Sequence, residues 1–307
     1  MFDVITQAAV LILCGVLWQY TRPMGIDPQT ARRVITGLVY LLLLPALVLS
    51  VMWKATLGIE TLQIVFLAFF GLFSALFLAW AIYKKLSIAR ASLGAMLLAA
   101  TFPNATYLGL PVLEAALGPW AKSVAIQYDL LACTPFLLTV GILLARHYGT
   151  SEEKNNPIVD LLKVPPLWAA IIGVFLNISG IQPSDWTSNL LNTMSSGVIP
   201  LMLIALGLGL SWPKRWQTYS KIMLPALSIQ LILAPLMVWG LGYNLGIENE
   251  LLTAIVLEAA MPCMVIGIVL CDRFNLNTEL YATTVTVSTI LAIVSLPLWH
   301  SLVASTS

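Results

Sequence analysis

Long apolar runs, separated by short polar, charged or Gly/Pro-rich breaks, recur along the whole chain. A helix needs about 20 mostly apolar residues to cross a bilayer, and runs of that size repeat here too often and too evenly to form one buried core. The breaks predict spans at 2–20, 34–52, 61–83, 90–118 and 120–147, followed by 164–181, 187–210, 217–242, 249–272 and 278–302. The longest polar break, GTSEEKNNP at 149–157, separates the two sets. The pattern predicts an all-α membrane protein of ten transmembrane helices, with a first five-helix repeat over 1–148, a cytoplasmic linker over 149–163 and a second five-helix repeat over 164–307. The opening segment MFDVITQAAVLILCGVLWQY has Asp3 before its apolar run and no small-residue cleavage site after it, and reads as a retained span.

Composition agrees with a bilayer as the main solvent. Of the 307 residues, 59% are hydrophobic and 9% charged, whereas a soluble domain carries about 25% charge. Basic residues collect on the cytoplasmic side of membrane proteins. With the N-terminus outside, thirteen of the fifteen Lys and Arg residues fall in inner loops, and Lys54 and Lys122 alone in outer ones. An error of one span would scramble that asymmetry, so the predicted topology has both termini outside, in a plasma membrane such as the bacterial inner membrane. The net charge of +1, without a Lys/Arg-rich run, zinc-ligand cluster or Gly-rich phosphate loop, gives no sign of a nucleic-acid partner. Neither a G-x-S-x-G elbow nor an H-E-x-x-H helix is present, which argues against an enzyme. Cys14, Cys133, Cys263 and Cys271 lie in or beside apolar segments and read as small hydrophobes.

Five spans per half make the second half enter the membrane in the opposite sense, as in the inverted repeats of secondary transporters. The prolines support this. Pro45, Pro103 and Pro135 lie in the second, fourth and fifth spans, and Pro200, Pro262 and Pro297 in the seventh, ninth and tenth. An internal proline removes a donor and crowds the preceding turn, and irregular backbone at membrane depth survives only against protein or a water-filled cavity. The fourth span concentrates such residues in FPNATYLGLP, 102–111, which predicts non-helical backbone across that stretch.

Broken helix ends expose N–H groups that attract an anion and carbonyls that attract a cation. Asn104, with donors and an acceptor on one side chain, follows Pro103 directly; its plainer reading is a cap on the broken helix. Asp129 and Glu258 each lie about nine residues from the outer end of a span, or about 13 Å at about 1.5 Å per residue. A carboxylate in a helix centre costs about 2.5 to 3.5 kcal/mol on insertion scales, and no basic residue shares that depth. A proton or bound cation is therefore expected to neutralise these acids. The polar residues gather near the breaks rather than along a path, which favours a carrier with one occluded site over a channel or sensor.

The segment FPNATYLGLPVLEAALG, 102–118, resembles the fourth span of the auxin efflux carrier family, where an asparagine precedes a Gly-Leu-Pro motif. LEAAMPCMVIGIVLCDRFNLNTELYATTVTVSTILAIVSLPLW, 257–299, is similar to the family's Ala-Met-Pro crossing helix, its turn and its last span. The resemblance implies a ten-helix fold shared with bile acid sodium symporters: a scaffold panel of spans one, two, six and seven, and a core in which broken helices four and nine cross. It implies organic-anion substrates and elevator-like alternating access coupled to sodium or protons. It places Pro103, Asn104 and Pro262 at the crossing; with the neighbouring Ala105, Thr106, Cys263 and Met264 these are the expected substrate site, and Asp129, Glu258 and Asn104 the expected cation site. Glu258 resembles the ninth-span glutamate that binds sodium in those symporters, although Pro262 stands where their glutamine follows; Asp129, at equal depth, is the expected second sodium ligand. Cys263 to Ile266 replace polar residues found in many relatives, which points to an amphipathic acid. No cofactor beyond a coupling ion is implied; the partners are a small organic acid, the lipid bilayer and a second copy through the scaffold panel.

Overall fold

The computed structural model describes residues 2–55, 58–150, 159, 162–210 and 216–305. Residues 151–158 and 160–161 of the expected linker lie outside them, as do Lys154, Lys214 and Arg215 of the charge count. Among the described residues the chain is helical, with no β-strand. The helices are α1 (Phe2–Thr21), α2 (Pro28–Lys54), α3 (Ile59–Tyr83), α4 (Arg90–Thr101), α5 (Ala105–Leu117) and α6 (Ala121–Tyr148). They continue as α7 (Pro165–Ile178), α8 (Asp185–Gly209), α9 (Tyr219–Asn244), α10 (Asn249–Ala259), α11 (Gly267–Arg273) and α12 (Thr278–Ala304). Six of these, α2, α3, α6, α8, α9 and α12, are long and apolar enough to cross a membrane. Their outward faces carry large apolar side chains: Phe66, Phe73 and Phe77 are more than half exposed on α3, as are Val294 and Leu298 on α12. Water would make such surfaces costly, whereas lipid makes them ordinary.

Capping explains two of the boundaries that differ from the sequence expectation. Helix α2 begins at Pro28 and not near 34, because Asp27 accepts the Thr30 N–H at 3.0 Å and Pro28 supplies a first-turn φ. Arg32 and Arg33 are consequently helical and not loop residues. Helix α8 starts at Asp185, where Ser184 Oγ accepts the Thr187 N–H at 3.2 Å.

The fourth span is broken, but over a shorter stretch than 102–111. Helix α4 ends at Thr101 and α5 resumes at Ala105, so Phe102, Pro103 and Asn104 form the gap and Pro111 lies inside a helix. A widened turn makes this possible. In Val39–Leu43, Ala105–Gly109, Asp129–Cys133 and Ile229–Leu233, the residue that follows the turn donates five residues back. Each of these four stands just ahead of a proline, Pro45, Pro111, Pro135 and Pro235 respectively, whereas a fifth such turn, Leu137–Gly141, does not. The proline ring clashes with the carbonyl four residues before it, and one extra residue in that turn relieves the clash. Pro297, the sequence counterpart of Pro135, sits within the continuous α12 without such a turn.

Helices α1, α2, α7 and α8 pack chiefly on one another, and α3 to α6 pack with α9 to α12. In the first group α1 and α8 meet backbone to backbone: a side chain on Gly15 would strike Gly207 Cα at 2.9 Å and the Leu208 amide at 2.8 Å. Where lipid supplies no hydrophobic drive between helices, this close approach provides the dispersion contacts that hold the pair.

Candidate functional site

The gap between α4 and α5 lies against the gap between α10 and α11. Pro103 and Cys263 form an isolated antiparallel bridge. Asn104 N–H donates to Pro262 O at 2.8 Å, and Met264 N–H donates to Phe102 O at 2.9 Å. Each break thus satisfies part of the backbone that the other leaves open, which apolar surroundings require. Neighbouring side chains satisfy more. Gln230 Nε2 donates to Ala259 O (3.3 Å) and Met261 O (3.0 Å), carbonyls released where α10 stops. Ser288 Oγ accepts the Cys263 N–H at 3.1 Å, and Tyr281 Oη donates to Met264 O at 2.8 Å. All these groups are buried.

Against that satisfied backbone, three side chains carry unpartnered buried atoms: Gln230 at its Oε1, Asn104 and Glu258. Asn104 occupies the N-cap position of α5 yet makes no side-chain capping bond, and its Nδ2 has no hydrogen-bond partner. The plain capping role is therefore not the one it plays. Glu258 is 0% exposed, and neither carboxyl oxygen has a hydrogen-bond partner. A buried polar group without a partner costs about 1 to 3 kcal/mol, more when charged. That cost falls at the meeting point of the two broken helices.

The widened turn Ala105–Gly109 joins these groups to Asp129. The Asn104 carbonyl accepts from Leu108 N–H (3.2 Å) and Gly109 N–H (3.0 Å), anchoring the turn. At one end Thr106 Oγ1 donates to Asp129 Oδ2. At the other end Gly109 packs directly on the Glu258 carboxyl, where a Cβ would overlap both oxygens and come within 2.7 Å of Cδ. Glycine is required by that close approach. The two acids, matched only in depth by the sequence, therefore touch opposite ends of one turn.

Their surroundings nevertheless differ. Asp129 accepts from Thr106 and, at 3.2 Å, from Thr134 Oγ1, and it lines a cavity of about 110 Å³ with Asn104, Thr106, Tyr107 and Met264. Glu258 does not line that cavity. Pro103, Ala105, Pro262 and Cys263 shape the crossing through their backbone and face no part of this space. The free carboxyl of Glu258 suits a proton or hard cation, whereas the free Nδ2 of Asn104 is a donor and suits an anion. Among the described residues no three of His, Cys, Asp and Glu converge as transition-metal ligands would.

Several residues outside the sequence-predicted set complete this site. Gln230 and Ser288 are buried polar residues in apolar spans, and that contrast was a usable signal. Gly109 stood out only as part of the Gly-Leu-Pro motif, and Tyr107 gave no signal, because the role of each lies in what packs against it.

Comparison with known proteins matches residues 3–300 to a family described as "Membrane transport protein". An uncharacterized transporter of Methanothermobacter thermautotrophicus is 28% identical over 303 residues, covering 97% of this chain and 96% of its own. The uncharacterized transporter MJ1031 of Methanocaldococcus jannaschii is 24% identical over 304 residues, 97% of each chain. The uncharacterized transporter YfdV of Escherichia coli is 28% identical over 233 residues, 73% of this chain and 72% of its own. The match across nearly the whole length, added to the apolar helices and the Asn-to-Gly-Leu-Pro segment at the break, places this chain in the membrane transport protein family, that of the auxin efflux carriers, as an integral membrane transporter.

Proposed function

We propose that this protein is a secondary active transporter that moves a small amphipathic organic anion, coupled to sodium or protons, by elevator-like alternating access. One observation carries the reading: two broken helices meet and leave a donor, Asn104 Nδ2, and an acid, Glu258, buried without partners beside one turn. In this reading the substrate carboxylate takes the hydrogen bond from Asn104 and the positive end of α5. The cation neutralises Glu258, with Asp129 and its two threonine hydroxyls adjacent. Mutual dependence follows, since an anion near Glu258 is unfavourable until that acid is protonated or ion-bound.

Ten spans in two inverted halves supply the mechanics. Helices α1, α2, α7 and α8 serve as the scaffold panel, exposed apolar faces of α2 and α7 being available to lipid or a second copy. The remaining helices form the core that carries the crossing, with both termini outside and the membrane that of a bacterial cell or its equivalent. Glycine contacts of the kind at Gly15 and Gly207 suit a panel that stays rigid while the core moves.

The test is uptake of labelled monocarboxylates into proteoliposomes under imposed sodium or pH gradients. Saturable uptake driven by one gradient is expected. Glu258→Gln is expected to abolish gradient dependence, and Asp129→Asn to reduce or abolish it. Flux that does not saturate would remove the carrier reading, and gradient dependence unchanged from the wild type in both variants would remove its cation site.

A further inference from the structure

A second cavity, of about 190 Å³, adjoins the crossing and is absent from the site described above. It is bounded by Arg32, Arg33 and Thr36 of α2 and Ala205 and Leu206 of α8 on one side, and by Tyr107, Val265, Ile266 and Val269 on the other. Tyr107 and Ile266 also line the Asn104 cavity, so these two side chains stand between the spaces. The walls come from the two groups of helices: arginines from one, partition from the other.

Three features point to a ligand. The Arg32 guanidinium is half-buried and lies over Gly209 of α8, with Nη1 3.0 Å from where a side chain there would begin. Among the described residues neither Arg32 nor Arg33 meets a carboxylate, the ion pair found being Lys122 with Glu114 at 2.5 Å. Apart from Thr36 and the two arginines, the cavity is walled by apolar and aromatic side chains. A planar guanidinium partly withdrawn from water binds a carboxylate through paired charge-assisted hydrogen bonds, and the remaining walls suit an apolar body.

Resting on the organic-anion reading above, we propose that this cavity is the reception site on the arginine-bearing face, in which Arg32 holds the carboxylate of an amphipathic monocarboxylate. Its apolar body lies against Leu206, Val265 and Val269. The Tyr107–Ile266 partition separates it from Asn104. Because Arg32 sits on the scaffold side and the partition on the core, movement of the core changes access from the first space to the second. Arg33, more exposed, contributes attraction rather than a fixed contact.

Purified protein would be titrated with octanoate and 4-phenylbutyrate and with their uncharged amides, reading the thermal shift and calorimetric Kd. At least one acid, and neither amide, is expected to stabilise the wild type. Arg32→Gln is expected to weaken that binding by about tenfold or more, with Arg32→Lys intermediate and Arg33→Gln milder. Should Arg32→Gln fail to fold, Val269→Phe, which fills the cavity from an exposed position, is expected to lower affinity with Arg32 intact. Unchanged acid binding in Arg32→Gln, or in Val269→Phe where that variant has to stand in, would overturn the reception site and leave the organic-anion reading standing. No acid binding to the wild type would overturn both.

Discussion

Gly109 shows how one missing side chain positions a charged one. Its Cα faces the Glu258 carboxyl so closely that any larger residue displaces the acid. Gly109→Ala is therefore expected to destabilise the fold by about 1 to 3 kcal/mol, as overpacking does, and to lose gradient-driven uptake as Glu258→Gln does. The double variant should take up no less substrate than either single one, because both remove the same interaction. Uptake and melting temperature together check this, and full gradient-driven uptake in Gly109→Ala would refute it. Glu258→Gln itself should leave stability level or raised, since it replaces a buried carboxyl lacking hydrogen bonds with a neutral isostere.

At the scale of elements, the widened turns decide where side chains point. The first of two such turns in α6 begins on Asp129 and precedes Pro135. Without the proline ring, a regular turn becomes available, and removing the extra residue's rotation reorients Asp129 by about 100° relative to the helix beyond it. Pro135→Ala is thus expected to hold or raise thermal stability, a mid-helix proline costing up to about 3 kcal/mol. It should at the same time cut uptake by about tenfold, because each 1.4 kcal/mol of lost site energy is a factor of ten. Parallel thermal-shift and uptake measurements separate the two effects; a lower melting temperature with unaltered uptake would show the turn to be purely structural. The paired gaps make the complementary point. Neither break is self-sufficient, since Asn104 N–H needs Pro262 O and Met264 N–H needs Phe102 O.

For the whole molecule, the division into two packed groups of helices predicts movement of one against the other. A cysteine at Asn104, in a background lacking Cys14, Cys133, Cys263 and Cys271, should react with an impermeant thiol reagent from either face, the balance shifting with cation and substrate. Reaction from one face under all conditions would count against alternating access. The Arg32 cavity lies at the boundary between the groups, so its access should alter in step with that of Asn104.

Much of this was legible in the residues alone, for physical reasons. Apolar runs of membrane length and their breaks follow from solvation, which acts residue by residue, and they placed most helix ends within about three positions, the start of α2 being the exception. Proline chemistry is local too, so the gaps near 103 and 262 were legible, as was Asn104 beside one of them. The stretch 102–111 was overestimated because a widened turn carries helix through Pro111, a solution that depends on backbone hydrogen bonds rather than residue type. Only tertiary structure decided which break pairs with which group, that Glu258 rests on Gly109 while Asp129 is held by Thr106 and Thr134, and that Arg32 enters a cavity shared by both groups of helices. Those are contacts between residues distant in the chain, and they arise from the packing that satisfies each broken backbone and fills the space around it.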